Sequence, residues 1–190
     1  MATSPTSKTY QLYVELLDSD PPIWRQVWVP GDRTLGDLHL VLAAAMGWLG
    51  DADYRFKYKG QVLAVGEPQG SATGLQGPLL STLLTQPGDS LIYLYAPAQG
   101  WLHRVTLESV GPGETPQTPL PYCSAGERQC PPEFCMGVWD YVDLLDRLGD
   151  SDDPEEVDAL WQKVGYDFDP EQFDLAAANR RLQGLLQTHG

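Results

Sequence analysis

Positive charge, cysteine and long apolar runs are all scarce in this sequence. Lys and Arg number 12 against 26 Asp and Glu in 190 residues, for a formal net charge of −14. No stretch approaches the ~18 consecutive apolar residues of a membrane-spanning helix, so no membrane role is expected. Met1 to Tyr10 is small and polar, without the apolar segment or cleavage pattern of a signal peptide and without the character of a transit peptide. The expectation is a soluble, cytoplasmic protein. The Cys count of 3 is odd and comes without an export signal, which argues against a disulfide framework. Collagen-like and coiled-coil readings fail on composition. What is present is bulk: Trp 6, Tyr 9 and Phe 4, enough large side chains to build a core. The length suits one domain.

The negative charge is concentrated. Residues 108–175 carry 17 of the 26 acids and 3 of the 12 bases, whereas residues 1–107 are nearly balanced. Nucleic-acid affinity rests on phosphate neutralisation by Lys and Arg, so direct duplex DNA binding is not expected. Arg55, Lys57 and Lys59 make only a short basic stripe. An acidic face solubilises the protein, docks a basic protein partner or mimics DNA.

Periodicity divides the chain. Tyr10 to Leu16 alternates as a strand, Asp18 to Pro22 is a turn, and Ile23 to Val29 returns as a second strand. Ile23, Val27 and Val29 share one face of it, while Trp24 and Trp28 share the other, where covering helices would make them core, the reading expected, and an open face would make them a partner surface. Thr34 and Asp37 form a capping-box-like start for a helix that Gly47 ends. Tyr54 to Tyr58, Gln61 to Val65, Leu91 to Tyr95 and Trp101 to Val110 read as strands, with a short helix at Pro78 to Leu84. Residues 66–78 read as a flexible loop. Helices are expected from Val138 to Leu148, from Pro154 with Asp153 as cap to about Val164, and from Asp174 onward, where Phe173 is placed for a hydrophobic staple. The predicted organisation is a disordered tail at 1–8 and one compact α+β domain at 9–187. Within it lie a sheet with a crossing helix (9–110), a Pro- and Cys-rich irregular segment (111–137) and an acidic helical layer (138–187). A hairpin crossed by one helix and followed by further strands predicts a β-grasp-like mixed sheet.

Several pieces occur in a recognisable order. They are Pro22-Ile-Trp-Arg25, Thr34-Leu-x-Asp-Leu-His39, Met46-Gly-Trp48, Trp101-x-His103, Gly126-Glu-Arg-x-Cys-Pro-Pro-Glu133, Asp167-Phe-Asp-Pro170 and Phe173-Asp-Leu-x-x-x-Asn179. Together they resemble the open-reading-frame-three family of Ri-type plasmids, over roughly residues 9–182. The resemblance implies an α+β fold in a functionally uncharacterised, mobile-element-associated family whose members are often labelled transposon passenger or resolvase proteins. Resolvase chemistry needs a nucleophilic serine, arginines around a phosphate and a basic DNA-binding segment, and none is visible. Where the family often has His-x-His-x-Phe, this chain has Ala52 and Tyr54 before Phe56. Where the family favours Tyr-Asp-Phe-Gly-Asp, Tyr95 to Gln99 carries no acid. Of a His/Asp-based site only His103 and Glu133 would remain.

Three further groupings carry candidate chemistry. Cys123, Cys130 and Cys135 lie within 13 residues. With His103 as fourth ligand they could hold a structural zinc, because thiolates select that metal over harder cations. The alternatives are buried reduced thiols or a Cys130–Cys135 disulfide. His103, beside Trp101 on an apolar face, is either a core histidine held by a hydrogen bond or, with a cysteine and Glu133, a catalytic base. Glu127 and Glu133, with Asp140 and Asp143, either form an acid cluster or bond the backbone of the irregular segment. Asp150 to Asp153 reads as a capped turn, since it lacks the glycine and glutamate of a calcium loop. No complete catalytic constellation is present. The function expected is therefore a non-enzymatic protein-binding or adaptor domain using the acidic C-terminal face. The alternative is an enzyme of unknown reaction with a site near Trp101, His103, Glu133 and the cysteines.

Overall fold

The computed structural model describes residues 8–66, 77–111 and 119–187. Its elements, in chain order, are β1 (Thr9–Leu16), β2 (Ile23–Pro30), α1 (Leu35–Met46), β3 (Tyr54–Tyr58), β4 (Gln61–Gly66), α2 (Leu80–Leu83), β5 (Ser90–Tyr95), β6 (Trp101–Gly111), β7 (Tyr122–Glu127), α3 (Val138–Asp150), α4 (Pro154–Val164) and α5 (Leu175–Gln187). The chain is α+β. The seven strands form one sheet in the order β4-β3-β5-β6-β1-β2-β7. The expected tail at 1–8 and loop at 66–78 lie almost wholly outside the described residues.

Every neighbouring pair in the sheet is antiparallel. The expected mixed sheet is therefore corrected. Helix α1 joins β2 to β3, but β5, β6 and β1 stand between those two strands. The helix thus crosses the sheet without creating a parallel neighbour, which removes the basis for the β-grasp-like description. A second correction is β7, which lies inside the segment expected to be irregular. Its sequence, Tyr-Cys-Ser-Ala-Gly-Glu, has weak strand propensity. Pairing with β2 makes it a strand, with Trp28 opposite Tyr122 and Trp24 opposite Glu127. Its outer edge is covered from α5. Asn179 accepts from the Cys123 amide (2.8 Å) and donates to the Cys123 carbonyl (2.9 Å), satisfying both backbone groups of an edge residue.

Period-two alternation sorts the strands into two faces. Leu12, Val14, Ile23, Val27, Phe56, Tyr93, Trp101 and Val105 are buried on the inner face with Leu38 and Leu42 of α1. Tyr13, Trp24 and Trp28 take the outer face and are half-buried, so the expectation of core tryptophans is corrected. Each is held laterally: Trp24 donates to Glu127 (3.0 Å) and lies near the Tyr13 ring, while Trp28 donates to Ser124 (3.2 Å) and stacks on Tyr122. Helix α1 packs against α5, and α3 packs against α4. The charged residues of α4 leave it no fully buried side chain.

Candidate functional site

A cavity of about 480 Å³ opens where the last turn of α1, the Cys130–Glu133 stretch and the α4–α5 connection meet. Five of the signature pieces supply its lining. Arg25 comes from the first, Met46, Gly47 and Trp48 from another, Cys130 to Glu133 from a third, Asp167 to Asp169 from a fourth, and Phe173, Asp174 and Ala177 from the fifth. Segments more than 140 residues apart in sequence thus build one site.

Arg25 is the centre of the construction. Strand alternation points it inward between Ile23 and Val27, and it is 1% exposed. Its Nε donates to Ala45 O (3.2 Å), and its Nη1 donates to Trp24 O (2.7 Å) and Glu127 O (2.8 Å). The guanidinium carbon lies 3.9 Å from the centroid of the Phe173 ring. A Cβ at Gly126 would stand 2.6 Å from Phe173 and 2.9 Å from Arg25 Cδ, so this position admits only glycine while both side chains remain in place. Phe173, the expected staple residue, is thus committed to Arg25. Arg181 joins from α5, its Nε donating to Ala44 O at 2.8 Å. Burial lowers both guanidinium pKa values. Neither arginine forms an ion pair among the described residues.

Glu133 is fixed on the other wall. It accepts from Tyr95 Oη (2.6 Å) and from the Leu49 amide (3.3 Å). Tyr95 Oη in turn accepts from the Gly50 amide (3.2 Å). The Gly50 carbonyl is 3.1 Å from His39 Nε2, and His39 Nδ1 is 2.8 Å from Tyr93 Oη. Burial pushes the His39 pKa down to about 4, and the ring stacks on Tyr54. This chain of bonds ties α1, the loop after it, β5 and the Pro-rich segment together. Glu133 therefore bonds backbone of the loop after α1. Burial and the Glu133 hydrogen bond raise the Tyr95 pKa.

The other expected site residues are dispersed. His103 is fully buried behind Trp48, whose ring meets it edge-on at 5.2 Å, and it does not line the cavity. Neither of its ring nitrogens makes a hydrogen bond of good geometry among the described residues, although the backbone of Tyr93 and Trp101 lies close enough to favour its protonated form. Burial pushes its pKa down to about 4, which keeps the ring neutral. Cys123, Cys130 and Cys135 are all buried and free. Burial pushes the Cys130 thiol up to about 12 and Cys135 up to about 11. Among the described residues no three His, Cys, Asp or Glu side chains gather as metal ligands, so Cys123, Cys130, Cys135 and His103 do not make the expected zinc site. Of the enzyme set, only Glu133 and Cys130 share the cavity. Glu127 accepts from Trp24, and Asp140 accepts from the Met136 amide at 2.8 Å, so both serve local structure. Arg25, Arg181 and Tyr95 were not singled out from sequence. A lone arginine on the apolar face of a strand was the available signal for Arg25.

The family model for plasmid pRiA4b ORF-3-like proteins matches residues 8–177. The chain belongs to that family. An uncharacterized protein, y4hQ, of Sinorhizobium fredii is 28% identical over 178 residues, covering 92% of this chain and 91% of its own. A crystal structure of a protein of unknown function, MM3350 from Methanosarcina mazei Go1, is similar with a TM-score of 0.75 and 30% identity, covering 90% of this chain and 97% of that one. No helix among the described residues is long and apolar enough to cross a membrane.

Proposed function

We propose that the chain is a non-enzymatic protein-binding domain whose binding site is the cavity beneath the acidic C-terminal helices. One observation carries this reading: the signature segments converge on a cavity in which, among the described residues, no hydrogen bond joins a nucleophile to a base, Glu133 being bonded to Tyr95 and Leu49 instead. Cys130 is a protonated thiol at neutral pH, and His103, the base of the enzymatic alternative, is sealed behind Trp48. Acyl- or phosphoryl-transfer chemistry needs such groups within hydrogen-bond reach of a common point. Rigid walls made from several elements suit recognition instead. The flanking acids favour a basic protein partner over duplex DNA, to which residues 108–175 present the wrong sign of charge.

Selection of random displayed peptides on the immobilised full chain tests the reading. Enriched basic peptides should bind the wild type and lose binding to Asp167→Lys at the exposed rim of the cavity, with the melting temperature of that variant unchanged within a few degrees. Binders indifferent to that substitution, or sub-micromolar binding to random duplex DNA, would overturn it.

A further inference from the structure

We propose that the cavity receives the free C-terminal carboxylate of a basic peptide, a proposal that rests on the protein-binding reading above. A guanidinium carries five N–H donors. Arg25 spends three of them on the carbonyls of Ala45, Trp24 and Glu127, and its Nη2 meets no acceptor among the described residues. Arg181 spends its Nε on Ala44, and neither of its terminal nitrogens meets an acceptor there. Both side chains line the cavity. Consecutive carbonyls of the last turn of α1 anchor them, and the charge of Arg181 is felt at Arg25. Arg25 is a buried charge without a counter-ion, which is costly, whereas Arg181 is exposed with the Asp174 charge near it; a carboxylate, with two oxygens and several lone pairs, is the group that guanidinium forks recognise.

The remaining lining decides which carboxylate. Glu133, Asp167, Asp169 and Asp174 also face the cavity, so its acids outnumber its arginines. A free phosphate dianion would meet the guanidiniums and be repelled by the walls. A plain cation would meet the walls and be repelled by the arginines. A chain end whose last side chains are Lys or Arg carries its negative charge at the tip and its positive charges beside it, matching both. Phe173 and Trp48 offer apolar surface to the aliphatic stem of such a side chain. The volume, about 480 Å³, lies within the range of pockets that take small ligands.

The test is fluorescence anisotropy on the full chain with a fluorescein-labelled hexapeptide ending in Lys-Lys. It is compared with the same peptide amidated at its C-terminus, one ending in Glu-Glu, and free lysine and inorganic phosphate as competitors. The free-acid Lys-Lys peptide should bind, and amidation should weaken it roughly tenfold or more, the loss of charge-assisted bonds to the forks. Asp167→Asn, at an exposed wall position, should weaken the Lys-Lys peptide, and Arg181→Gln should abolish the difference between acid and amide. Amidation changes only the ligand, so misfolding cannot imitate its effect. Equal binding of acid and amide would overturn carboxylate recognition and leave the cavity as a peptide site. Absence of binding by both would overturn the peptide reading as well. Competition by free lysine as strong as by the peptide would make the ligand a free amino acid, and preferential binding of phosphate would overturn the proposal.

Discussion

The two ends of helix α1 are finished in different ways. At the N-terminus, Thr34 accepts from the Asp37 amide at 3.1 Å and Asp37 accepts from the Thr34 amide at 3.1 Å, a reciprocal cap contained in four residues. At the C-terminus no basic residue lies in the last turn. Gly47 in the left-handed conformation and Trp48 both turn their amides onto Ala43 O. The next two carbonyls, Ala44 and Ala45, are satisfied by Arg181 from α5 and Arg25 from β2. The first end is a local device that forms wherever the four residues fold. The second exists only when sheet, helix and C-terminal layer have come together. The helix dipole places partial negative charge at that second end, which helps to hold two guanidiniums there. One helix end is thus purely structural, whereas the other is also the floor of the cavity.

Acid is the bluntest way to break both ends at once. His39 on α1 and His103 behind Trp48 are buried, with pKa values pushed down to about 4. In the unfolded chain a histidine takes its proton near the ordinary value of about 6.5. Between those values the unfolded state binds more protons, so stability falls as pH falls, by up to roughly 1.4 kcal/mol per pH unit for each histidine. Urea midpoints between pH 7 and pH 4 should drop steeply, beginning near pH 6.5. A flat profile down to pH 4.5 would show that these rings are not buried neutral.

Arg25→Met strikes the C-terminal end alone. It leaves the carbonyls of Ala45, Trp24 and Glu127 without their donor, and it removes the stacking partner of Phe173. Unsatisfied buried acceptors make the expected loss about 3 kcal/mol, read from urea denaturation. Thr34→Ala strikes the other end and should cost about 1 kcal/mol, the ordinary value of a lost N-cap. It should leave peptide binding untouched. Equal costs at the two ends, or weakened binding in Thr34→Ala, would erase the contrast.

That contrast also marks what could be read from sequence. Thr34, Asp37 and Gly47 announced α1, and alternation announced β1, β2 and β6, because capping and pleat are local or periodic. β7 did not announce itself, since partner strand β2 and Asn179 hold it in place. The strand order was equally hidden, because alternation says which face a residue takes and not which strand lies beside it. At the site, the pieces of the cavity were visible as motifs, but their meeting was not. Arg25 was legible only as an anomaly, a charge at a position where Ile23 and Val27 set an apolar face. The reading of His103 and the cysteines as one cluster failed because short sequence separation across a Pro-rich segment does not fix direction. Each thiol is buried, and Trp48 packs edge-on against His103.

The smallest expected effect separates charge from packing beneath the cavity. His103 is fully buried, and neither ring nitrogen makes a hydrogen bond of good geometry among the described residues, with only weak help from the backbone of Tyr93 and Trp101. A buried polar ring without hydrogen bonds bears a desolvation cost, and an apolar side chain of similar size does not. His103→Leu should therefore change stability at pH 7 by less than about 1 kcal/mol, the loss of ring contacts with Trp48 and Tyr93 offsetting the relief. The variant should also flatten the acid profile by one histidine's share between pH 6.5 and pH 4, leaving the part that belongs to His39. A loss of several kcal/mol at pH 7, with the acid slope unchanged, would mean that His103 is bonded after all. The neutral ring behind Trp48 would then be a structural anchor rather than a tolerated polar group.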